Sequence, residues 1–200
     1  MADILVIYGS PRRRGNTARL AVQAAEGARQ AGARVSEVVL RDLDMSPCLE
    51  IYGCKKDGRC VIDDDFQGLY DQLLACQGLI LASPIMFYTV SAHTKILMDR
   101  CQSLWVKKYW LQGAQFGQWE PKRLGLFISV GATRGKRLFE GALLTVKYFM
   151  DPLDMKLFKS LLYRGLDAAG EVEDHPEYLA EARSAGEELA RALAEGGYAK

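Results

Sequence analysis

The sequence predicts an α/β fold with a doubly wound parallel sheet of five strands. Apolar runs that end at glycine or Ser-Pro turns alternate along the chain with segments in which apolar residues recur at steps of three and four. The first run, residues 3–8, is followed at once by Gly-Ser-Pro, which is typical of a parallel strand buried on both faces. Alternation of strands and helices predicts a doubly wound sheet, and a length of 200 residues favours one domain.

The predicted elements follow one another with short connections over most of the chain. The Ala-rich segment from Asn16 to about Gly32 has helical spacing, and Gly32 provides its C-terminal signal. Ser91 begins a predicted helix that runs to Arg100, and Pro176 stands in the first turn of the last helix. The other predicted helices are 66–74 and 138–150, and the other predicted strands are 35–40, 79–82, 124–130 and 157–163.

Two stretches are predicted to be irregular insertions in a single domain that covers residues 1–200. Residues 41–62 contain three of the five cysteines, and residues 104–122 contain all three tryptophans. An isolated loop cannot bury so much aromatic surface, so we expect segment 104–122 to pack on a partner subunit or over a ligand. The alternative is a local aromatic core under the segment itself.

The charge balance excludes function classes that depend on a strong overall electrostatic field. Lys plus Arg total 26 and Asp plus Glu total 25, so we expect no nucleic acid partner and no anionic membrane surface as a partner. No apolar stretch is long enough for a secretory signal or a membrane span. Together with an odd number of cysteines, these features predict a cytoplasmic protein without a disulfide framework.

The turn after the first strand predicts a phosphate site. Residues 9–17 lead directly from a strand into a helix, so backbone N–H groups and the positive end of the helix converge there. Ser10, Asn16 and Thr17 add side-chain donors, and Arg12 is the arginine expected to reach the anion. The glycine spacing excludes a nucleoside-triphosphate loop and a dinucleotide-binding motif. The alternative is a solvated turn with Asn16 as an ordinary helix cap.

The turn after the third predicted strand, residues 83–91, is unusually apolar for a surface loop. Pro84 fixes the chain, the backbone beyond it offers N–H and C=O groups, and Phe87 or Tyr88 offers an aromatic face. These features favour a flat hydrophobic ligand. Support of a subunit interface is the alternative, and the two roles are compatible.

Taken together, these two turns resemble those of a known family. Gly9-Ser-Pro-Arg-x-x-Gly15-Asn-Thr17 and Ser83-Pro-Ile-x-Phe-x-x-Val-Ser91-Ala-x-x-Lys95-x-x-x-Asp99-Arg100 are similar to the turns of flavodoxin-like NAD(P)H-dependent FMN reductases, a group that includes the iron-sulfur flavoproteins. The resemblance covers residues 3 to about 130 and implies a flavodoxin-like fold with bound FMN. The residues that it assigns to FMN are Ser10, Arg12, Gly15, Asn16 and Thr17 at the phosphate, and Pro84, Ile85, Met86, Phe87, Tyr88 and Gly131 around the isoalloxazine ring.

The resemblance implies an enzyme that takes hydride from NADPH or NADH and passes electrons to a flavin, a quinone or another small acceptor. The flavin itself accepts the hydride, so no catalytic side chain is expected, and His93 and His175 are expected to be structural or exposed. The alternative is a non-enzymatic FMN electron-transfer protein, although such carriers tend to be strongly acidic. The family also implies a homodimer or homotetramer, with segment 104–122 at the contact.

The cysteine loop departs from the pattern of the iron-sulfur flavoproteins, which carry four cysteines in the corresponding place. This chain has Cys48, Cys54 and Cys60, and Ile51 stands where the second ligand should be. Three thiolates make a stable four-iron cluster doubtful. The alternatives are a three-iron cluster, an external fourth ligand, a zinc site, or a redox-active thiol whose pKa is lowered by neighbouring cations. A last alternative is a loop that has lost its metal.

Overall fold

The computed structural model describes residues 1–117, 121 and 123–196, and its centre is a five-stranded sheet. The strands are β1 Asp3–Tyr8, β2 Arg34–Val39, β3 Gly78–Ala82, β4 Arg123–Gly131 and β5 Met155–Arg164. Their order in the sheet is β2-β1-β3-β4-β5, and each neighbouring pair is parallel. This is the order of flavodoxin-like sheets, and it confirms the predicted doubly wound α/β fold.

Helices cover both faces of the sheet. They are α1 Asn16–Gln30, α2 Phe66–Ala75, α3 Ala92–Arg100, α4 Gln102–Trp105, α5 Glu140–Met150 and α6 Pro176–Ala194. Ile4 and Val6 of β1 pack with α1 and α6 in one core, whereas Leu5 and Ile7 pack with α2, α3 and α5 in the other. Successive side chains of β1 enter opposite cores, and burial of each contributes about 1.5–3 kcal/mol. None of the described helices is long and apolar enough to cross a lipid bilayer.

The helices α1 and α6 touch through their backbones. A Cβ atom on Gly27 would lie 2.0 Å from the carbonyl oxygen of Arg183, and one on Gly186 would lie 1.9 Å from that of Ala24. Glycine is therefore required at both positions for this spacing. The close contact fixes the position of α1, whose first turn forms part of the site described below.

The segment 104–122, predicted to be irregular, is instead helical over its first part. The helical course of α3 and α4 continues through a π-helical segment, Val106–Leu111. Buried Lys108 donates a hydrogen bond to Asp151 (2.8 Å), and the hydroxyl of Tyr109 donates to the same carboxylate (2.7 Å). The wider turn of the π-helix thus allows two consecutive side chains, those of Lys108 and Tyr109, to bond to one carboxylate. Such a tertiary contact has no signature in the local sequence.

The aromatic residues of this segment pack on one another. The ring of Trp105 lies 5.3 Å from that of Tyr109 and 5.4 Å from that of Trp110, and Tyr109 stacks on Phe116 at 4.1 Å. This arrangement is the local aromatic core that formed the alternative prediction. Trp110 and Phe116 nevertheless remain 50% and 65% exposed, and Trp119 lies outside the described residues.

Candidate functional site

The turns that follow β1 and β3 border one cavity of about 300 Å³ at the carboxyl edge of the sheet. These strands are neighbours, and the winding direction reverses between them, which is where open α/β sheets bind ligands. The cavity is lined by Ser10, Pro11, Arg12, Gly15, Asn16, Thr17, Pro84, Ile85, Met86, Val130, Ala132, Leu166 and Asp167. The structure thus brings together all the predicted residues of the first turn and the first three of the second.

The first turn forms the polar end of the cavity. Gly15 precedes α1 in an extended conformation, with φ −73° and ψ 168°, and no side chain caps the helix. The first helical turn contains no acidic residue, so its unpaired N–H groups and the positive end of the helix dipole are left for an anion. Ser10 and Thr17 are 6% and 2% exposed, and both line the cavity beside this helix start.

Local hydrogen bonds hold the first turn in shape. The N–H of Arg12 donates to Oγ of Ser10 (3.1 Å), and the N–H of Gly15 donates to the carbonyl oxygen of Arg12 (3.1 Å). A Cβ atom on Gly15 would lie 3.1 Å from the Cβ of Arg12 and would crowd the turn. The guanidinium of Arg12 donates to the carbonyl oxygen of Asp167 (2.6 Å), and the side chain lies exposed at the rim of the cavity.

The side chain of Asn16 makes hydrogen bonds to another segment of the chain, whereas the sequence predicted it as a donor to an anion. Its amide nitrogen donates to the carbonyl oxygen of Ala168 (2.9 Å), and its Oδ1 accepts from the N–H groups of Gly170 (3.0 Å) and Val172 (3.2 Å). The side chain thereby joins the segment after β5 to the start of α1. The backbone N–H of Asn16, as one of the first in the helix, remains for an anion.

The second turn forms the apolar end of the cavity. Pro84, Ile85 and Met86 line it together with the end of β4. The N–H of Ile85 donates to the carbonyl oxygen of Val130 (2.9 Å), and the N–H of Met86 donates to that of Thr89 (2.9 Å). Because both N–H groups are already bonded, these two do not serve as the ring-edge donors that the sequence analysis expected beyond Pro84.

Phe87 and Tyr88 are not among the residues that line this cavity, and their contact with the isoalloxazine ring stays a prediction. They form the tip of a two-residue hairpin between Met86 and Thr89, with φ angles of 48° and 64°. Phe87 is fully exposed, and Tyr88 lies beside the first turn of α5, where a Cβ atom on Gly141 would lie 2.6 Å from its carbonyl oxygen. Left-handed backbone in a non-glycine residue costs about 1–3 kcal/mol and clusters at functional sites. The usual Asn-Gly signal for such a hairpin is absent here.

Gly131 is also absent from the cavity lining. A Cβ atom on Gly131 would lie 2.7 Å from Cδ2 of Leu138, and its carbonyl oxygen accepts a hydrogen bond from the N–H of Gly165 (2.8 Å). Its neighbours Val130 and Ala132 line the cavity in its place. Gly131 therefore shapes the end of β4 through close packing.

The residues that join the two turns were missed in the sequence analysis. Ser91, predicted only as a helix start, caps α3 by accepting from the N–H of Thr94 (3.3 Å), and its hydroxyl donates to the carbonyl oxygen of Gly9. The N–H of Ser91 donates to Oγ of Ser83 (2.9 Å). A Cβ atom on Gly9 would lie 1.9 Å from Oγ1 of Thr94, so glycine is required there. The start of α3 thus holds both turns. Ser83 and Ser91, which begin and end the second turn, were the signal in the sequence that could have revealed this connection.

Cys48 and Cys54 line a second cavity, of about 440 Å³, beside the C-terminal end of α3. Burial raises the pKa of the Cys54 thiol, and the neighbouring Cys60 and Cys48 raise it further. Lys55 lowers this pKa, as predicted for a neighbouring cation, but by less than burial and the two other thiols raise it, so the net shift of the Cys54 pKa is upward. The ammonium group of Lys55 also lies over the ring of Tyr52, 4.1 Å from its centroid.

These thiols do not fit a four-iron cluster. Within the described residues, no three or more His, Cys, Asp or Glu side chains are grouped so that they could hold a metal ion. Ile51, at the position of the missing ligand, is 59% exposed and lies between Glu50 and Tyr52, whose φ angles are 50° and 61°. A cubane cluster takes four thiolates, so no cluster chemistry follows from this loop.

A buried ion pair anchors the cysteine loop to α3. Arg100 is 1% exposed and donates to Oδ1 of Asp64 (2.9 Å) and to the carbonyl oxygens of Ser46 (2.9 Å) and Ile62 (3.3 Å). Burial alone would raise the pKa of Asp64, but hydrogen bonds from Arg100 and from the N–H groups of Ser46 and Phe66 outweigh it and lower the pKa. The cysteine loop is thus held at the C-terminal end of α3, whereas the N-terminal end of α3 holds the two turns that border the first cavity.

Comparison with known sequences agrees with this geometry. The family model for NADPH-dependent FMN reductase matches residues 2–156. An iron-sulfur flavoprotein of Methanocaldococcus jannaschii is 33% identical over 131 residues, which cover 66% of this chain and 63% of that protein. The matched part of the chain therefore spans just under two thirds of this curated relative.

Comparison with solved structures concerns the fold. A flavone reductase superimposes with a TM-score of 0.74 at 19% identity, covering 99% of this chain and 65% of that chain. An NAD(P)H:quinone oxidoreductase from Methanothermobacter marburgensis superimposes with a TM-score of 0.69 at 15% identity. The superposition covers 94% of this chain and 96% of that chain. At such identities the likeness shows the fold alone. The family model, in contrast, covers most of the chain and both turns that border the cavity, and the chain belongs to the NADPH-dependent FMN reductase family.

Proposed function

We propose that this chain is an FMN-dependent oxidoreductase that takes hydride from NADPH or NADH and passes electrons to a flavin, a quinone or another small acceptor. The observation that carries the proposal is a single cavity that joins an uncapped helix start to an apolar wall. Membership of the family supports FMN as the cofactor and a nicotinamide nucleotide as the donor.

The polar end of the cavity fits the phosphate of FMN. The hydroxyl groups of Ser10 and Thr17 and the first N–H groups of α1 would bind the phosphate oxygens, and the helix dipole would stabilise their negative charge. The uncapped helix start supports this assignment, because an acidic cap would compete with the anion. Arg12, exposed at the rim, would add a charge-assisted contact.

The apolar end of the cavity fits the isoalloxazine ring. Pro84, Ile85 and Met86 present an apolar wall whose backbone is fixed by hydrogen bonds to β4 and within the hairpin. Bound FMN supplies the ring that accepts hydride. The task of the chain is to hold that ring and to orient the donor beside it, and neither task needs an acid-base side chain.

A competing function is that of a non-enzymatic FMN electron-transfer protein. It would use the same fold and the same cofactor site. Such carriers tend to be strongly acidic, and a formal net charge of +1 counts against docking to a partner by overall charge. The charge therefore favours the enzyme.

The test is anaerobic reconstitution of the flavin-free chain with FMN, followed by mixing with NADPH or NADH in a stopped-flow spectrophotometer. Fast bleaching of the flavin absorbance by either nucleotide supports the enzyme. Reduction by dithionite but by neither nucleotide supports the carrier. A folded chain that fails to bind FMN refutes both functions.

The substitution Thr17→Val checks the phosphate end separately. The variant loses a buried hydroxyl group at the helix start, so we expect FMN to bind about tenfold more weakly. Riboflavin lacks the phosphate and is the internal control, since its affinity should not change. Fluorescence titration measures both affinities, and an equal loss for the two ligands would contradict the assignment of the phosphate to this turn.

We also propose that the chain works as a homo-oligomer. Leu144 and Tyr148 on α5 are 57% and 65% exposed, and together with Phe116 they line an apolar groove. Contiguous exposed apolar surface of this kind marks contact sites between proteins. A second copy of the chain is the partner that we propose for this surface.

A further inference from the structure

A separate cavity, of about 570 Å³, lies between α1 and the edge strand β2. We call it the arginine cavity, and its lining residues are Tyr8, Ser10, Arg12, Arg13, Arg14, Ala18, Arg19, Val22, Glu37 and Val39. Ser10 and Arg12 also line the cavity assigned to FMN, so the turn after β1 borders both cavities. Residues 84–86, the apolar wall assigned to the flavin ring, do not line the arginine cavity.

The lining of the arginine cavity has an excess of positive charge. Four of its residues are arginines, namely Arg12, Arg13, Arg14 and Arg19. Glu37 is the single acidic residue among the described residues of the lining. Its carboxylate already pairs with the guanidinium of Arg29 and accepts a hydrogen bond from the hydroxyl of Tyr8. The cavity therefore favours an anion.

The arginines differ in how far their charges are compensated. Arg13 pairs with Asp42 (2.5 Å), and Arg19 pairs with Glu173. Arg14 is exposed and forms no ion pair with any residue that the structure describes. The two pairs lie at the surface, where an ion pair contributes only about 0–1 kcal/mol, and each guanidinium has further N–H donors. Arg14 is thus the cation most available to an anion, with Arg13 and Arg19 beside it.

Backbone contacts hold this group of like charges together. Nε of Arg19 donates to the carbonyl oxygen of Arg14 (3.2 Å), and the N–H of Arg19 donates to that of Gly15 (3.1 Å). The N–H of Arg12 is bonded to Ser10, as described above. Folding therefore places the positive charges near one another before any ligand binds, and such preorganisation favours binding.

The rest of the arginine cavity is largely apolar. Val22 on α1 is 41% exposed, Val39 at the end of β2 is half-buried, and Ala18 is buried. Tyr8, which is 7% exposed, adds an aromatic ring to the lining. A ligand with a flat apolar group could cover these side chains while its anionic group meets the arginines.

We propose that the arginine cavity is a second ligand site, which binds a phosphate ester with a flat apolar group while FMN occupies the first cavity. Guanidinium groups match phosphate oxygens with paired donors, and the excess of positive charge favours a dianion. The apolar side chains favour an ester over inorganic phosphate. The site goes beyond the proposed function, because a ligand confined to it does not contact the wall assigned to the flavin ring.

Calorimetric titration of the FMN-loaded chain with phenyl phosphate tests the proposal, because bound FMN fills the first cavity. Inorganic phosphate and phenol are the reference ligands, since each carries one of the two groups alone. The test variant is Arg14→Ala, which changes a residue that lines the arginine cavity and not the FMN cavity. The matched control is Arg191→Ala, which removes an exposed arginine from its pair with Glu187 on α6.

We expect the parent chain and Arg191→Ala to bind phenyl phosphate about fivefold more tightly than inorganic phosphate, and to bind no phenol. Arg14→Ala should weaken the binding of both phosphates about tenfold, because charge-assisted hydrogen bonds are lost. Equal weakening in Arg14→Ala and Arg191→Ala would overturn the proposal, since it would show an effect of overall charge.

Three other results would also overturn the proposal. They are the absence of phenyl phosphate binding to the parent chain, equal affinity for phenyl phosphate and inorganic phosphate, and release of FMN during the titration. Fluorescence of free flavin detects this release, which would place the probe in the first cavity. If the folded chain binds no FMN, the proposed function fails. The comparison of Arg14→Ala with Arg191→Ala in the flavin-free chain then still decides whether the arginine cavity binds the ester.

Discussion

Asn16 joins the phosphate turn to a segment more than 150 residues later in the chain. Its Oδ1 accepts from the N–H groups of Gly170 and Val172, and Val172 is fully buried. The substitution Asn16→Ala removes this acceptor, and an unsatisfied buried donor costs about 1–3 kcal/mol. We expect the free energy of unfolding of the flavin-free chain to fall by about 3 kcal/mol, as measured by urea denaturation.

The control for this prediction is Asn16→Asp, which keeps an oxygen acceptor for both N–H groups and replaces the donor to Ala168 by a second carboxylate oxygen, whose negative charge the start of α1 stabilises. This variant should keep most of the stability. If Asn16→Ala instead leaves the unfolding curve unchanged and weakens only FMN binding, the side chain serves the phosphate, as the sequence suggested. That result would contradict the structural role.

Single residues of the site were predictable where a local motif determines them. Ser10 and Thr17 follow from the order strand, turn, helix, which the sequence displays directly. The hairpin that exposes Phe87 was not predicted, because a two-residue hairpin of non-glycine residues has no sequence signal. Asp167 and the partners of Asn16 were missed because their contacts depend on how β5 returns to the start of α1, which no local pattern encodes.

Secondary-structure elements were predictable where apolar periodicity is strong. The helix predicted over 138–150 is found at Glu140–Met150, and the strand predicted over 157–163 extends to Met155–Arg164. The helical course beyond α4 was missed because a buried contact with Asp151 stabilises it, and tertiary contacts override local propensity. Boundaries set by packing are thus the least visible in the sequence.

The cysteine loop is the element in which one substitution has the largest consequence. Ile51 occupies the exposed position between Cys48 and Cys54 where the resemblance to the iron-sulfur flavoproteins places a further thiolate. We expect the parent chain, reconstituted anaerobically with iron and sulfide, to retain less than about one iron, and Ile51→Cys to retain about four iron atoms with labile sulfide. Iron and acid-labile sulfide analysis measures both.

Ile51→Ser separates the thiolate from the mere loss of an apolar side chain, and it should behave like the parent. A full complement of iron in the parent chain would show that three cysteines suffice, with an external group as the fourth ligand. An iron-free Ile51→Cys variant would show that the loop cannot close around a cluster. Either result would contradict the view that Ile51 is what distinguishes this loop from a cluster site.

At the scale of the whole molecule, the face formed by α5 and β5 has the features that we expect of an interface between two copies of the chain. The groove between α5 and the edge strand β5 has a volume of about 950 Å³ and includes Phe116 from the aromatic segment. Its rim carries Lys147 and Lys156 as well as Glu140, so charges of both signs are available to a self-complementary contact. The segment 104–122 was expected at a subunit contact, and its described residues Phe116, Gly117 and Pro121 line this groove.

If this face joins two copies, a charge placed at its centre should separate them. A twofold contact brings the same residue into the interface twice, so Tyr148→Glu would replace two apolar rings by two buried carboxylates in an interface of about 800 Å² per subunit. We expect the parent chain to run as a dimer or tetramer in size-exclusion chromatography with light scattering, and Tyr148→Glu to dissociate at least to the next smaller state. Val22→Glu, which introduces the same charge at a 41% exposed apolar residue of α1, should leave the mass unchanged. A dimer built on another face would be insensitive to Tyr148→Glu, and a monomeric parent would exclude the contact altogether. The light-scattering masses of the three proteins therefore decide whether this groove joins the subunits.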